Sequence, residues 1–384
     1  MKQGWEIKRL DDACEVEYGT RVVNKRDGGT IYPVYGGGGA TFFMDTFNRE
    51  DCFIVARFAM SEQCTRFVKG KFFLNDSGLS VKPRNTKEIL QDFLNLQLLY
   101  LNDHIYSLAR GTAQKNLDVP AFRIIEINYP KSLPEQRRIV SILDEAFAAI
   151  AKAKANAEQN LKNATELFES YLQGVFENGD WDEVKLAELA KDITDGDHMP
   201  PPKSEEGFPF ITISNINKQN RQIDFSDTFK VPKQYYEKLK ENRKPKKGDV
   251  LYTVTGSYGI PVLIEDDFQF CFQRHIGLIR PKENVSSKWL YYWILSPQAL
   301  FQANDKATGT AQKTVSLTAL RNFTLPNIKL KEQHNIVQKL DALSAETKKL
   351  ETIYQQKIND LEELKKSVLQ KAFSGELKTA EQCA

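Results

Sequence analysis

The sequence predicts a mixed α+β chain: two copies of one domain, separated by two long helices that pack antiparallel as a coiled coil and relate the copies by a pseudo-two-fold axis. Three observations carry this. A repeat returns with a period near 197 residues. The first ~130 residues of each copy hold short β-like runs punctuated by turns. Each copy then ends in an apolar seam at 3,4 spacing that lasts ~40 residues.

Length and composition agree. At 384 residues the chain is long enough for two or three domains, and 41% hydrophobic with 27% charged residues is ordinary for globular cores. The 21 glycines and 15 prolines are too few for a low-complexity chain. No apolar run approaches the ~18 to 20 residues of a membrane helix, and the start Met1-Lys2-Gln3-Gly4-Trp5-Glu6 lacks a signal peptide's apolar core, so the expectation is a cytoplasmic protein with no membrane partner. Five cysteines (Cys14, Cys52, Cys64, Cys271, Cys383), odd in number and never in C-x-x-C spacing, indicate neither a disulfide framework nor a zinc knuckle. With 53 Lys+Arg against 51 Asp+Glu, any basic surface must be local.

The repeat is explicit. Gly111-Thr112-Ala113-Gln114-Lys115 recurs unchanged as Gly309-Thr310-Ala311-Gln312-Lys313, and the same offset pairs Asp51 with Asp249, Val81 with Ile279 and Pro83 with Pro281. One residue less, the match continues through Glu135-Gln136 with Glu332-Gln333, Ile139-Val140 with Ile336-Val337, Leu143-Asp144 with Leu340-Asp341, Leu172-Gln173 with Leu369-Gln370, and Phe176 with Phe373. Trp5 and Trp181 mark the two beginnings. A period this long is a duplicated domain and not a solenoid, whose units run ~20 to 50 residues.

Within each copy the elements follow one order. Strands are read at Asp51 to Ala56, Lys71 to Leu74 and Asp249 to Val254, with turns at the glycines Gly36 to Gly39, Gly256 and Gly259. One helix follows over 89–101 and over 288–300, then the Gly-Thr-Ala-Gln-Lys loop, then the long helix. The first long helix enters through Ser132-Leu133-Pro134-Glu135, a capping box with proline in the first turn, and leaves at Asn178-Gly179. Its seam reads Val140, Leu143, Phe147, Ile150, Lys154, Ala157, Leu161, Ala164, Phe168, Tyr171 and Val175; the second reads Leu340, Leu343, Thr347, Leu350, Tyr354, Lys357, Leu361, Leu364 and Val368, ending at Ser374-Gly375. Two readings of such rods stand: each packs on its own domain, or the equivalent seams pack on each other, as equal length and placement favour. The divisions are 1–132, 133–179, 180–329 and 330–384.

Enzymatic readings find little support. The four histidines (His104, His198, His275, His334) show no H-E-x-x-H spacing, and there is no G-x-S-x-G elbow or G-x-x-x-x-G-K-[ST] loop. Gly36 to Gly39 precede a strand, not the helix whose N-terminus would hold a phosphate, and read as a flexible or DNA-facing turn. Asp195-Gly196-Asp197-His198 has the residues of an acid/base or metal cluster, but no second such group lies nearby, and the first copy has Tyr18-Gly19-Thr20-Arg21 in its place.

Basic, hydroxyl and aromatic residues in loops point elsewhere. Arg21, Lys25 and Arg26 follow the first strand, and Arg57 and Arg66 flank a turn. Residues 238–247 hold six cations against one anion, opposite no acidic counterpart in the sequence, which suits either a solvated face or phosphate contact. Thr253-Val254-Thr255-Gly256-Ser257-Tyr258-Gly259 is either a plain tight turn or a hydroxyl-rich one able to reach base edges. The candidate DNA contacts are Arg21, Lys25, Arg26, Arg57, Lys115, Lys203, Lys246, Lys247, Thr255, Ser257, Tyr258, Arg274 and Lys313. The candidate partner-docking and coiled-coil residues are Val140, Leu143, Phe147, Leu161, Phe168, Leu340, Leu343, Leu350, Leu361 and Leu364. No metal ligand or catalytic residue is assigned.

Two divergent mixed domains, each ending in G-T-A-Q-K and then a long helix opened by L-x-E-Q-x-x-I-V-x-x-L-D, resemble the specificity subunit of type I restriction-modification systems. The likeness covers the whole chain, including Asp195 to Pro202 and Asp249 to Ser257, and the first copy departs from it at Tyr35 to Phe42, Asn48 to Asp51 and Arg57 to Glu62. The resemblance implies two target recognition domains, each reading one half of a bipartite asymmetric site in double-stranded DNA. It implies helices that set the gap and dock two methyltransferase subunits, with restriction subunits joining to cleave unmodified DNA. S-adenosylmethionine, ATP and Mg would belong to those partners, and this chain would bind no cofactor and catalyse nothing. The alternative is a non-catalytic scaffold that binds proteins through its duplicated domains and coiled coil.

Overall fold

Alternation along the inner strands decides how the sheets are covered. In the computed structural model, which describes residues 4–199, 201–310 and 312–377, the chain divides into two units: Met1–Glu158 with Gln355–Ala384, and Gln159–Tyr354. The division falls inside both long helices.

The first unit runs β1 (Trp5–Arg9), α1 (Leu10–Ala13), β2 (Cys14–Tyr18), α2 (Asn24–Asp27), β3 (Tyr32–Tyr35), β4 (Ala40–Met44), β5 (Arg49–Ala56), β6 (Thr65–Leu74) and β7 (Gly78–Pro83). Then come α3 (Gln91–Tyr100), α4 (Asn102–Ser107), β8 (Ala109–Arg110), β9 (Asn116–Leu117), α5 (Val119–Arg123), β10 (Glu126–Pro130) and α6 (Leu133–Glu177). Six strands form one sheet in the order β2-β7-β5-β6-β3-β4, antiparallel except for the β3–β6 pair, while β1 pairs with β10. On β5, Phe53 and Val55 enter the main core with Leu79, Val81, Phe93 and Phe122, whereas Cys52 and Ile54 enter a smaller core on the opposite face with Phe72 and Leu74. Period-two side-chain alternation explains why this strand is buried on both sides.

The second unit repeats the plan with β11 (Glu183–Lys185), α7 (Leu186–Leu189), β12 (Ala190–Asp195), β13 (Phe208–Ile211), β14 (Phe229–Val231), α8 (Lys233–Lys238), β15 (Val250–Thr253), β16 (Pro261–Leu263), β17 (Cys271–Phe272) and β18 (Ile276–Pro281). It closes with α9 (Ser287–Leu295), α10 (Pro297–Lys306), α11 (Leu317–Arg321), β19 (Thr324–Pro326) and α12 (Leu330–Phe373). Its strands order as β12-β18-β15-β16 and β17-β13-β14. This is the first unit's sheet with the ten-residue β6 split into β16 and β17 by residues 264–270. The parallel pair survives as Phe210 opposite Cys271, and β11–β19 matches β1–β10.

The single helices expected over 89–101 and 288–300 are each two. Pro297 has no N–H to donate and a ring that clashes with the preceding turn, so α9 stops at Leu295 and Ser296 caps α10 by accepting from the Ala299 N–H at 3.4 Å. In the first unit the break falls at Leu101.

The long helices have 45 and 44 residues, about 67 Å at 1.5 Å per residue. Both readings of them hold in part. Their ends pack into the globular cores: Ile139, Leu143, Leu369, Ala372 and Phe373 in the first unit, and Leu172, Phe176, Val337 and Leu340 in the second. They also run antiparallel. In the first unit the Lys365 ammonium lies 5.0 Å from the Phe147 ring and Lys154 bonds Glu362 at 2.5 Å; in the second, Thr165 donates to Glu351 at 2.9 Å.

Two parts of the expected seams are corrected. Tyr171 is exposed and Leu172 is buried in its place, because a 3.6-residue helix drifts ~20° per heptad and the burial spacing lengthens from Ala164. In α12 the second row is Ser344, Glu351, Ile358, Lys365 and Ala372, one residue on from the leucine row. Leu350 and Leu364 are 36% and 47% exposed, since the buried ends at Leu340 and Ala372 fix the rotation of the helix. The remaining seam residues Val140, Leu161, Phe168, Leu343 and Leu361 are half-buried.

Candidate nucleic-acid interface

The glycines that open the shared pentapeptide take the same conformation in both copies. Gly111 and Gly309 have φ of +111° and +109°, and a Cβ on either would stand 2.3 or 2.4 Å from the carbonyl oxygen of Gln114 or Gln312, so only glycine fits. The loop then docks by backbone hydrogen bonds on the chain leaving the inner strand. In the first unit Met60 N–H donates to Lys115 O at 2.9 Å and Leu117 N–H to Arg57 O at 2.9 Å; in the second, Gly256 N–H donates to Lys313 O at 2.9 Å and Val315 N–H to Val254 O at 2.8 Å. Ala59 takes, at φ +47°, the left-handed conformation that Gly256 takes at +70°. A common frame therefore presents two differing segments, Arg57 to Met60 and Val254 to Tyr258. Lys115 and Lys313 are exposed beside them, the former 4.5 Å over the Tyr106 ring.

Around the first segment, Arg21 is exposed in the turn after β2, and Lys25 and Arg26 are exposed on α2. Arg26 makes two 2.9 Å bonds to Asp27, so it is partly neutralised. Arg57 is half-buried, stacked 4.8 Å from the Tyr18 ring and 4.4 Å from the Phe58 ring, and donates to Asp76 O at 3.2 Å. It orders this tip more than it projects from it.

In the second unit Ser257 is exposed, Tyr258 donates its hydroxyl proton to Asn304 Oδ1 at 2.8 Å, and Arg274 is exposed. Thr255 is 8% exposed with its hydroxyl 3.4 Å from that of Thr314, so it faces the pentapeptide loop rather than the surface. Lys203 lies apart, 5.2 Å over the Phe229 ring.

Besides its own Glu241 the basic run does have acidic counterparts, contrary to the sequence expectation, and the fold brings Asp195 and Asp197 to it from a distance. Arg243 bonds Asp195 at 3.3 Å and lies 3.7 Å from Asp197; Lys244 and Lys246 pair with Glu241 at 2.6 and 3.3 Å. Arg280 grips Asp249 at 2.9 and 2.7 Å, which holds the guanidinium pKa above its usual value. Lys247 keeps an exposed side chain with no ion pair among the described residues.

The tempting Asp195-Gly196-Asp197-His198 cluster is thus occupied. His198 Nε2 lies 2.8 Å from Asp195, and the Tyr235 hydroxyl donates to Asp197. Burial first, and this bond second, push the Tyr235 pKa up, so it remains a donor. Among the described residues no group of three or more His, Cys, Asp or Glu could hold a metal ion, and no helix is long and apolar enough to cross a membrane. Sequence reasoning missed Tyr235 and Arg243 as partners of this motif, because the pairs are separated by 38 and 48 residues and nothing local signals them. Cys14, Cys52, Cys64 and Cys271 are buried free thiols, and Cys383 lies outside the described residues, as do Met1 to Gln3, Pro200 and Ala311.

Comparison with known proteins bears on this surface. The family model for the type I restriction modification DNA specificity domain matches residues 2–162 and 178–363, one match on each copy. The type I restriction enzyme EcoBI specificity subunit of Escherichia coli is 26% identical over 202 residues, covering 52% of this chain and 42% of that protein. The StySPI specificity subunit of Salmonella potsdam is 23% identical over 299 residues, covering 72% and 63%. The chain therefore matches 42 to 63% of the length of these curated relatives. Among solved structures, a chain from work on complex assembly and conformational transition of the type I R-M system has a TM-score of 0.74 at 19% identity, covering 97% of this chain and 98% of its own. The HsdS subunit from Thermoanaerobacter tengcongensis has a TM-score of 0.54 at 19% identity, covering 98% of both chains. At that identity the likeness is one of fold.

Proposed function

Because this chain belongs to the type I restriction modification DNA specificity family, we propose that it is the sequence-reading subunit of such a system, recognising a bipartite asymmetric site in double-stranded DNA. The observation that carries the reading is that the family model falls on both copies of a repeat whose sheets share one strand order. Each copy then presents a differing segment, 57–60 or 254–258, from the same docked loop, which is what two half-site readers on one scaffold require. Phosphate contacts by Arg21, Lys25, Lys115, Lys246, Lys247 and Lys313 would position the duplex, while base edges would be read from the differing segments, Ser257 among them, and by Arg274 outside them. Arg26, Arg57, Lys203 and Tyr258 would act at its margin or by holding these tips in shape.

The domain divisions are proposed as recognition domains over 1–132 and 180–329, with spacer helices over 133–179 and 330–384. Leu350 in the second unit and Leu364 in the first are each exposed apolar positions of α12 that a modification subunit can cover. Two methyltransferase subunits would bring S-adenosylmethionine for adenine-N6 methylation, and restriction subunits ATP and Mg for cleavage. This chain would act in the cytoplasm, hold no cofactor and do no chemistry itself.

The test is genome-wide mapping of N6-methyladenine in a methylation-free host expressing this chain with the methyltransferase subunit of its own genome. A single two-part motif with a fixed gap, lost when this chain is omitted, is expected. Methylation that is absent or independent of this chain overturns the reading and favours a protein scaffold.

A further inference from the structure

The repeat supplies an internal control for one feature of the second unit. The connection from β14 to β15 spans residues 232–249 and carries α8, a 3₁₀ turn (Glu241–Arg243) and the basic run. Its counterpart between β4 and β5 is only residues 45–48. The two places where the second copy has Asp195 and Asp197 carry Tyr18 and Thr20 in the first, on matching backbone. A Cβ on Gly19 or on Gly196 would stand 1.9 Å from a carbonyl oxygen, of Asn75 or Phe272, and Thr20 and Asp197 donate their N–H groups to Leu74 O and Phe272 O at 2.9 and 3.0 Å. The acids are present where the long connection is present and absent where it is absent. Both acids are engaged by side chains of that connection, Asp195 by Arg243 and Asp197 by Tyr235 and Arg243.

We propose that residues 232–249 form a phosphate-gripping arm of the second domain, latched by Arg243 between Asp195 and Asp197; this rests on the DNA-reading function proposed above. The side chains of Asp195 and Asp197 are 15% and 20% exposed and that of Arg243 is 31%, so the guanidinium is half-buried with its charge already offset by the two carboxylates. Tyr235, on α8, fastens the other end of the arm to Asp197. At its foot Arg280 donates to the carbonyl oxygens of Glu241 and Lys244 at 3.3 and 2.8 Å while holding Asp249. What the arm leaves unpaired are Lys238, Lys240 and Lys247, exposed and without an ion pair among the described residues. Three free cations on a segment ordered in advance suit a polyanion, because the ordering cost is not met again on binding. Arg243 is a positioning residue: its side chain faces the carboxylates of Asp195 and Asp197.

The salt dependence of DNA binding separates these roles. The full chain, with its methyltransferase subunit, is titrated with duplex carrying the mapped motif over a range of salt concentrations. Lys238→Ala, Lys240→Ala and Lys247→Ala should each lower the log–log salt slope by about 0.9, one phosphate's worth. Arg243→Ala should lower it by about 2 to 3, more than any single phosphate contact can, and Arg243→Lys should restore part of it. Tyr235→Phe, which removes one hydroxyl and keeps the ring, should act in the same direction and guards against a global folding defect in Arg243→Ala. The first half of the methylation motif should be unchanged in all of them. A slope change of about 1 or less for both Arg243→Ala and Tyr235→Phe overturns the latch, and unchanged slopes for all three lysine variants overturn the arm. If the unaltered chain and its partner bind no specific DNA, the underlying function fails, which is a different result from either.

Discussion

Gln136 and Gln333 do the same work 197 residues apart, each tying the start of a long helix to the backbone of its own domain. Gln136 Oε1 accepts from the Leu90 N–H at 2.8 Å while its amide donates to Glu88 O and Pro130 O, both at 2.8 Å. Gln333 Oε1 accepts from the Ser286 N–H at 2.7 Å and its amide donates to Ile328 O at 2.7 Å. Both are almost wholly buried, at 0% and 2% exposure. Either Gln→Ala change orphans at least two backbone groups, at about 1 to 3 kcal/mol each, so a loss of about 2 to 6 kcal/mol is expected in urea unfolding. A loss under 1 kcal/mol would mean that water replaces the side chain.

That glutamine shows what was legible in the sequence. It stood in the matched Glu-Gln pair, as did the pentapeptide, because a position that must make a given turn or bond in both copies keeps its residue. The order of elements and the long helices were legible for the same reason. The seam of α12 was misread because leucines were followed, whereas its rotation is set by the buried ends. Phe147 and Ser344 show the limit of matching: in the first unit Phe147 on α6 faces Lys365 on α12, and the same two repeat positions in the second unit carry Ser344 on α12 and Phe168 on α6, so the ring stays on α6 and takes the other repeat position. The pairing of Arg243 with Asp195 was hidden because only the sheet brings β12 to the arm.

Gly111→Ala and Gly309→Ala should be alike and costly. Each forces a Cβ to within 2.4 Å of a carbonyl oxygen at positive φ, and the loop must open, at about 1 to 3 kcal/mol. Under the proposed function each should blur one half of the methylation motif and spare the other. Motif mapping of the two variants checks this, and loss of the same half in both would contradict it.

Ala59→Gly should stabilise. The left-handed conformation at φ +47° costs an alanine about 1 to 2 kcal/mol, and the entropy that glycine adds to the unfolded chain returns only about 0.4 to 1. Thermal unfolding should show a small rise in Tm, and a fall would mean that the Ala59 methyl makes packing contacts that matter more than the backbone.

Burial pushes the thiols of Cys14 and Cys271 up to about 12 and those of Cys52 and Cys64 up to about 11. The folded values lie above the unfolded value of ~8.5, so the stabilisation is complete below that pH and is lost as pH rises toward the folded values. The urea midpoint should therefore fall between about pH 9 and 11 and stay flat between about 7 and 8 as far as the thiols govern it. In a Cys383→Ala background no thiol should react with a disulfide reagent at neutral pH while the chain is folded.

Asp51 and Asp249 are paired by the repeat and have diverged in task, which makes them a test of how much burial matters. Asp51 is exposed and accepts one hydrogen bond, from the Gly70 N–H at 2.7 Å, at a bulge in β5. Asp249 is 2% exposed and holds both arms of the Arg280 guanidinium, together with the Lys246 N–H at 2.8 Å. Asp51→Ala removes a bond that water can replace and should cost about 0.5 to 1.5 kcal/mol. Asp249→Ala strands a largely buried cation and should cost about 3 to 5 kcal/mol. Double replacement of Asp249 and Arg280 by apolar residues should recover part of that loss, since no charge is then left without its partner. Urea unfolding of the three variants decides it: equal costs for the two aspartates would mean that Arg280 finds Asp192, 3.7 Å away, as a substitute.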